Sequence, residues 1–394
     1  MSFDADIIVV GAGPAGLAFS RTLAHSPVSV LILEKQPEEF VSTPAFDGRE
    51  IAITHASRQS MQQLGIWNHL PEDQIYLLKE AKVLNGKSDY SLHFFDKNPR
   101  IPGEGLGFLI PNYLIRQASY NAVKDQSNLR IRYGVGVKDV NVTAQGATVI
   151  LDNGEKITAR MVIAADSRFS NTRRQMGIGA EMNDFGRTVH VFRMRHTTSN
   201  EHTALECFHY GRTLAILPLE ENLSSCVVTI DTHRSHEITD LSPEQLEQSI
   251  MNQLEDRLGD MKLDGKIVSY PLVGVHAKRF YGLSCAVIGD AAVGMHPVTA
   301  QGYNLGLQSA VILGGLIAEA ASQGQDIASP ALLSKYERKH MLNTRPIYHG
   351  TNFVVTLFTT EHAPAKLLRS VVMRFSNNFP PIKYLITRQL TKLS

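Results

Sequence analysis

Asp6-Ile7-Ile8-Val9-Val10-Gly11-Ala12-Gly13-Pro14-Ala15-Gly16 is the stretch on which the fold turns. Its short β-branched run ends at a glycine, as a strand buried in a parallel sheet does. A helical stretch follows at 17–25, and a second apolar run, 28–33, closes on Glu34. Strand, glycine turn, helix and strand within about 30 residues make a βαβ unit. In such a unit the first glycine permits the tight turn, the second lets the backbone approach a pyrophosphate, and the third lets helix and strand pack closely. Gly11, Gly13, Pro14, Ala15 and Gly16 are therefore candidate cofactor-binding residues at the helix N-terminus. Glu34, 18 residues after Gly16, is placed to accept hydrogen bonds from an adenosine ribose, with Lys35 beside it. The turn alone does not separate FAD from NAD(P).

Two further segments share this grammar. Residues 156–165 read as strands ending at Asp166, and 285–288 as a strand ending at Gly289-Asp290, followed by a long helix from Gly302 to Ser322. All three put polar chemistry at the carboxyl end of a strand, where open α/β sheets bind ligands. The separation between cofactors comes from Ile288-Gly289-Asp290-Ala291-Ala292 with His296-Pro297 and the run 301–306. An aspartate at a strand end suits the ribityl hydroxyls of a flavin, and a helix N-terminus suits negative charge on its reduced ring. Between these segments, 188–275 alternates strand-like runs with turns, plus one helix-like piece at 243–258. The expected fold is α/β (α+β): a Rossmann-like FAD-binding domain with an inserted, mainly antiparallel substrate sheet and a C-terminal helical segment. Its expected limits are 1–70, 105–187 and 276–330 for the discontinuous FAD-binding domain, 71–104 and 188–275 for the substrate domain, and 331–394 for the helical segment.

Composition narrows the function classes. The 394 residues are 43% hydrophobic and 20% charged, which excludes a disordered or collagen-like chain. A net charge of +1 removes any whole-chain argument for nucleic acid. The distribution is uneven, because 331–394 holds ten Lys/Arg against two acids, a net of +8 that leaves −7 on the rest. Cys207, Cys226 and Cys285 are odd in number and lie in apolar runs, which predicts a reducing, cytoplasmic setting and no metal site. No charged region precedes the first apolar run, so no signal peptide is expected, and no uncharged stretch is long enough to predict a spanning helix. Rival sites fail on spacing. His236-Glu237 is followed at the fifth position by Asp240 rather than histidine, there is no G-x-S-x-G elbow, and Gly103-Glu104-Gly105-Leu106-Gly107 precedes a strand and reads as a loop.

Taken together these motifs resemble the class A FAD-dependent aromatic hydroxylases of the p-hydroxybenzoate hydroxylase type, and more closely the ubiquinone-biosynthesis hydroxylases. The carry-over rests on Gly289-Asp290-Ala291-Ala292-Val293, Met295-His296-Pro297 and Ala300-Gln301-Gly302-Tyr303-Asn304-Leu305-Gly306, and on Asp166-Ser167-Arg168-Phe169-Ser170-Asn171-Thr172-Arg173. Asp47-Gly48-Arg49, Asn112 with Arg116, and Ala215-Ile216-Leu217-Pro218-Leu219 are also similar to the family. The resemblance adds Arg49, Arg116, Asp166, Asp290, Pro297, Gln301, Gly302, Tyr303 and Asn304 to the cofactor-binding set. This sequence departs from the family pattern at Val293, where histidine is usual, at Ser167, where glycine is usual, and at Gln308, where an acid is common. Residues 165–178 resemble the demethoxyubiquinol 5-hydroxylase branch.

The resemblance implies reduction of FAD by NAD(P)H as a transient co-substrate, dioxygen addition at flavin C4a, and transfer of the distal oxygen to an aromatic, polyprenylated quinol. It names no catalytic acid or base. Arg168, Arg173 and Arg174 suit either phosphate and flavin contacts or a solvated basic turn. Two other readings stand beside this one: a flavin hydroxylase of a soluble aromatic, and a non-catalytic FAD-binding subunit of a biosynthetic complex. In the basic tail, Leu367, Leu368, Val371, Val372 and Phe375 share one helical arc, while 362–394 carries six Lys/Arg and no acid. That pattern suits peripheral contact with the inner face of a membrane or with a partner in a biosynthetic complex. Equally, it suits packing on its own domain with a solvated basic face.

Overall fold

The computed structural model describes residues 3–85, 91–95, 105–209, 211–296 and 301–359. Its nucleotide half is built on a parallel sheet in which Ala5–Val10 lies between Lys156–Ala164 and Val30–Leu33, with Cys285–Val287 and Leu129–Arg132 beyond them. Ile7, Ile8 and Val9 have no exposure. Strands covered on both faces are unbroken apolar runs, which is why they are legible in the sequence. The antiparallel hairpin Val137–Thr143 and Gly146–Leu151 branches from Lys156–Ala164.

The helix Pro14–Thr22 and the 21-residue helix Gly302–Ser322 pack face to face on this sheet. Their approach is so close that a Cβ on Gly314 would collide with Thr22 Oγ1. Among the described residues Gly302–Ser322 is the one helix long and apolar enough to cross a membrane, with a mean hydropathy of 1.4. In the fold its apolar face, including Leu313 and Ile317, is core.

A second sheet of eight strands runs in the order Val293–Gly294, Met261–Ala277, Ala180–His196, Leu223–Asp231, Arg212–Pro218, Thr203–His209, Glu80–Asn85, Ser91–Phe95. Ala180–His196 and Met261–Ala277 are each 17 residues long. They pair antiparallel from Ala180 opposite Ala277 to His196 opposite Met261. The sequence-expected limits at 187/188 and 275/276 fall inside these two strands. The chain enters and leaves the inserted region through them, so they continue their ladder into the connection. The connecting end of Ala180–His196 is rich in polar residues and lacks an apolar period, whereas that of Met261–Ala277 is buried from Leu272 onward.

One face of this sheet is covered by the helix Pro243–Leu254, which begins with a reciprocal capping box between Ser242 and Gln245. Leu246, Ile250 and Leu254 pack there on Leu214, Ile216, Cys226 and Val228. The other face looks toward the nucleotide half. Between the halves lies a three-stranded sheet, Glu50–Ile53, Gly107–Pro111 and Tyr76–Leu78, that the sequence did not announce. Its strands are four, five and three residues long, too short to display a period. The helix Pro330–Thr359 ends the described chain, seating Tyr336, His340 and Tyr348 near Phe280 and His276. Residues 360–394, including the amphipathic arc at 367–375, lie outside the described residues.

A buried ion pair ties the halves together. Glu50 is wholly buried, and its Oε1 accepts from Arg193 Nη2 at 2.6 Å and Nε at 3.0 Å. Oε2 of Glu50 has no hydrogen-bond partner, and burial raises its pKa against the pull of Arg193. Removing one partner of such a pair strands a buried charge. Arg193→Met is therefore expected to cost about 3 kcal/mol near neutral pH. A carboxyl whose folded pKa is raised favours the folded state at low pH and loses that contribution as pH rises through the folded pKa. The deficit of Arg193→Met should accordingly shrink as pH falls and Glu50 takes up a proton. Denaturant titration at acidic and alkaline pH measures this, and an equal loss at both would count against it.

Candidate flavin site and ring-facing cleft

The glycine turn is shaped by contacts that exclude side chains. Gly11 has φ +108°, and a Cβ there would stand 2.6 Å from the Ala165 carbonyl oxygen. A Cβ on Gly16 would run into the Gly11 carbonyl. Gly13 differs, because a Cβ there would meet nothing within 4 Å. It is the N-cap of Pro14–Thr22, with Pro14 in the first turn and no side chain capping the helix. Its free N–H groups face open space, the arrangement that receives a phosphate. Glu34, partly buried, receives the Ala12 N–H on Oε2 at 2.7 Å and the Gln36 N–H on Oε1 at 2.9 Å. This holds its carboxylate at the mouth of the turn. Lys35 is exposed.

The carboxy-proximal signature closes onto the same place. Gly289 has φ +58°, and a Cβ on it would lie 2.7 Å from Ala15 Cβ, while one on Gly306 would lie 3.4 Å from Gly289 Cα. The 289–291 turn is thus wedged between the starts of two helices. Gly302–Ser322 also begins without a side-chain cap, Gln301 preceding it, and a Cβ on Gly302 would meet nothing within 4 Å. The buried Tyr303 hydroxyl has no partner, whereas Asn304 ties the helix to the small sheet, donating to Ala52 O at 2.8 Å and accepting from Thr54 N–H at 3.1 Å. Asp290, partly exposed, is paired with Arg168 at 3.0 Å, and Arg168 also donates to Val273 O at 3.1 Å. Pro297 lies outside the described residues. Two uncapped helix starts facing open space, with a carboxylate beside each, fit an extended dinucleotide.

Asp166 stands against Gly11 and organises the turn behind it. Its carboxylate accepts from the Ser170 hydroxyl and from Thr172 N–H, and Ser170 in turn caps Asn171–Gln175. Ser167 occupies the left-handed region at φ +79°, the conformation that the family's usual glycine would adopt without strain. Of the three arginines near it, Arg173 is buried and donates to Ala291 O at 3.1 Å, Arg168 holds Asp290, and Arg174 is exposed beside Asn171. Val293 is a buried member of the core, paired with His276 in the second sheet. Gln308 Oε1 is buried without a partner.

Arg49 and Arg116 flank the cleft between the halves. Arg49 pairs with Asp47 at 2.5 Å, and Asp47 also accepts from Asn112 Nδ2 at 2.6 Å. Gly48, at φ +74°, lets this loop lie on the inner sheet face, where a Cβ would stand 3.1 Å from Val268 Cγ2. Arg116 donates to Phe40 O at 2.9 Å, and burial lowers its pKa despite the nearby Asp47 and Glu34. Tyr270 of the inner face has a raised pKa through burial, with Arg49 and Arg168 close enough to oppose it.

The structure therefore brings together Gly11, Gly13, Pro14, Ala15, Gly16, Glu34, Asp166, Asp290 and Gly302. Asn304 and Asp166 are engaged by the protein itself, and Lys35 is on the surface. Sequence reasoning missed the Glu50–Arg193 pair and a carboxyl on the inner sheet face, Glu206. Strict alternation with Leu205 and Cys207 marks Glu206 as opposite to the apolar core, but only tertiary packing says which face lines the cleft.

Residues 4–345 match the family described as FAD binding domain. The chain is 56% identical over 393 residues to ubiquinone hydroxylase UbiM of Neisseria meningitidis, spanning 99% of this chain and 85% of that protein. It is 29% identical to ubiquinone hydroxylase UbiL of Rhodospirillum rubrum, over 98% of this chain and 89% of that one. In fold it is similar to p-nitrophenol 4-monooxygenase PnpA of Pseudomonas putida, with a TM-score of 0.75 at 15% identity and coverage of 99% and 98%. The glycine turn, the signature helix and the inserted sheet are thus parts of one known arrangement, and the chain belongs to the FAD-binding family with the class A flavin monooxygenase fold.

Proposed function

We propose that this FAD-dependent monooxygenase hydroxylates the aromatic ring of a ubiquinone precursor, with NAD(P)H as the transient reductant and dioxygen as the oxygen source. The observation that carries the reading is the pairing of an open glycine turn with an aliphatic sheet face across the cleft, in a chain 56% identical to a ubiquinone hydroxylase. Bound there, FAD supplies the redox chemistry that activates dioxygen for transfer of one oxygen atom to an electron-rich ring. The chain's own residues provide the rest. The N–H groups after Gly13 hold the pyrophosphate, Glu34 the ribose, and Asp290 the ribityl chain once it shares its partner Arg168. The start of Gly302–Ser322 would favour negative charge on the ring of a bound flavin. Val189, Val191 and Leu272 exclude water and orient the substrate. Because 165–178 resemble the demethoxyubiquinol branch, the ring position proposed is the 5-position of such a precursor.

The substrate's polyprenyl tail gives a reason for contact with a bilayer. The helix Pro330–Thr359 supports it, exposing Leu342 at 71% and Phe353 at 62% among Arg338, Lys339 and Arg345. The basic residues of 362–394 add to the same charge. Both features support a peripheral position of the working protein on an anionic membrane surface.

Three outcomes check these statements. Gly13→Ala should leave the cofactor-free protein as stable as the wild type while raising the Kd for FAD at least about tenfold, because its new methyl enters space that only the ligand needs. Equilibrium flavin titration beside thermal melting reads both, and unaltered FAD affinity would remove the turn from its role. Expression in strains each lacking one ubiquinone hydroxylase should restore the quinone only where the 5-hydroxylase is missing; restoration elsewhere moves the ring position, and no restoration with active turnover of soluble phenols favours a catabolic hydroxylase. Replacing Leu342 and Phe353 together by glutamate should lower retention on phosphatidylglycerol vesicles several-fold, and undiminished retention would exclude this face from the contact.

A further inference from the structure

The register of the second sheet puts one carboxyl alone in an aliphatic row. Val83 lies opposite Glu206, Glu206 opposite Ala215, Ala215 opposite Val227, Val227 opposite Val191, and Val191 opposite Val268. Directly opposed residues share a face of the sheet, so these six side chains form a single line across six strands. Gly48 fixes which face it is. It rests on Val268 and Val191 at the end of the row, so the row looks into the cleft, whereas Leu205 and Cys207 point away beneath Pro243–Leu254. With strands about 4.8 Å apart, the floor from Val191 to Glu206 is roughly 14 Å long. That length matches one substituted ring and the start of an alkyl arm.

Glu206 ends this floor as its polar group. Its carboxyl lies on the cleft side of the sheet and is desolvated, the neighbouring Val83 and Phe208 of that face packing with Leu92, Phe94 and Leu106. Among the described residues, these and Ala215 are what that face presents around it, and none of them titrates. Among the described side chains of the same cleft, Arg193 is held by Glu50 and Arg49 by Asp47. Burial accordingly pushes its pKa up to about 7. A desolvated acceptor facing an apolar floor is suited to one kind of guest, an aromatic ring that carries a hydroxyl.

We infer that Glu206 accepts the hydroxyl proton of the substrate ring. This rests on the hydroxylase reading above. The O–H proton passes to the carboxylate and leaves its electron pair on the ring oxygen, which raises electron density at the ortho and para carbons. The carbon that then forms the new C–O bond, with one atom of dioxygen, releases its own hydrogen as a proton when the ring regains aromaticity. Glu206 returns its proton to the ring oxygen. NAD(P)H supplies the two electrons and, with solvent protons, the second oxygen atom leaves as water. A pKa near the working pH lets the carboxyl both take and return the proton.

The test uses the full FAD-loaded chain and two probes, guaiacol, which has a ring hydroxyl, and veratrole, its methyl ether. Wild type should bind guaiacol about tenfold more tightly than veratrole at alkaline pH, with the preference declining as Glu206 protonates. Glu206→Ala should bind the two probes alike, and Glu206→Gln should keep a small preference that no longer varies with pH. Both replacements remove a desolvated charge, so neither should lower stability, and FAD affinity should be unchanged. Variants that retain the wild-type preference and its pH dependence would overturn the assignment. Binding is read without turnover, so a chain that discriminates through Glu206 but oxidises no ring hydroxyl compound would refute the hydroxylase reading alone.

Discussion

At Gly11, Gly16 and Gly289 neighbouring segments approach more closely than a Cβ permits, with Gly306 in contact with Gly289, and the rest of the molecule is arranged around that meeting point. It draws the starts of two helices to the same edge of a parallel sheet. The carboxyl ends of three strands meet there as well, so the N–H groups left unpaired by helix geometry share one opening. A ligand with negative charge distributed along its length is the natural complement. At Gly11 and Gly16 a methyl would meet backbone, whereas at Gly13 and Gly302 it would meet nothing within 4 Å.

The second sheet is useful only because it is held over this opening. Ala180–His196 and Met261–Ala277 carry its ladder back toward the nucleotide half, and Gly48 lets the Asp47-Gly48-Arg49 loop settle on its inner face. Glu50 and Arg193 secure the approach with a pair whose burial is costly and whose second carboxylate oxygen is left without a partner. Such a pair gives orientation more than stability. The result is a cleft with a polar wall for the cofactor and an aliphatic floor for a ring, which is the division of labour that flavin hydroxylation requires.

Several residues have structural duties besides those that the motif suggests. Asp166 is the anchor of a helix cap, Asn304 a staple between the signature helix and the small sheet, and Arg173 a buried prop under Ala291. Each is required for the cofactor site to have its shape. Similarity to the family pattern therefore reports on the scaffold as much as on direct contact. Ser167 illustrates the converse, since the backbone keeps its left-handed turn although the usual glycine is absent.

The sequence by itself determined the nucleotide half: fully buried strands are continuous apolar runs, glycines mark close approaches, and carboxylates at strand ends mark the ligand edge. These are local properties, and they are visible one segment at a time. Tertiary structure alone decided the three-stranded sheet, the long pairing of Ala180–His196 with Met261–Ala277, the Glu50–Arg193 latch 143 residues apart, and the face on which Glu206 lies. Alternation along a strand says that Glu206 and Cys207 point opposite ways. Only the helix laid over one side and the loop laid over the other determine that the carboxyl belongs to the cleft.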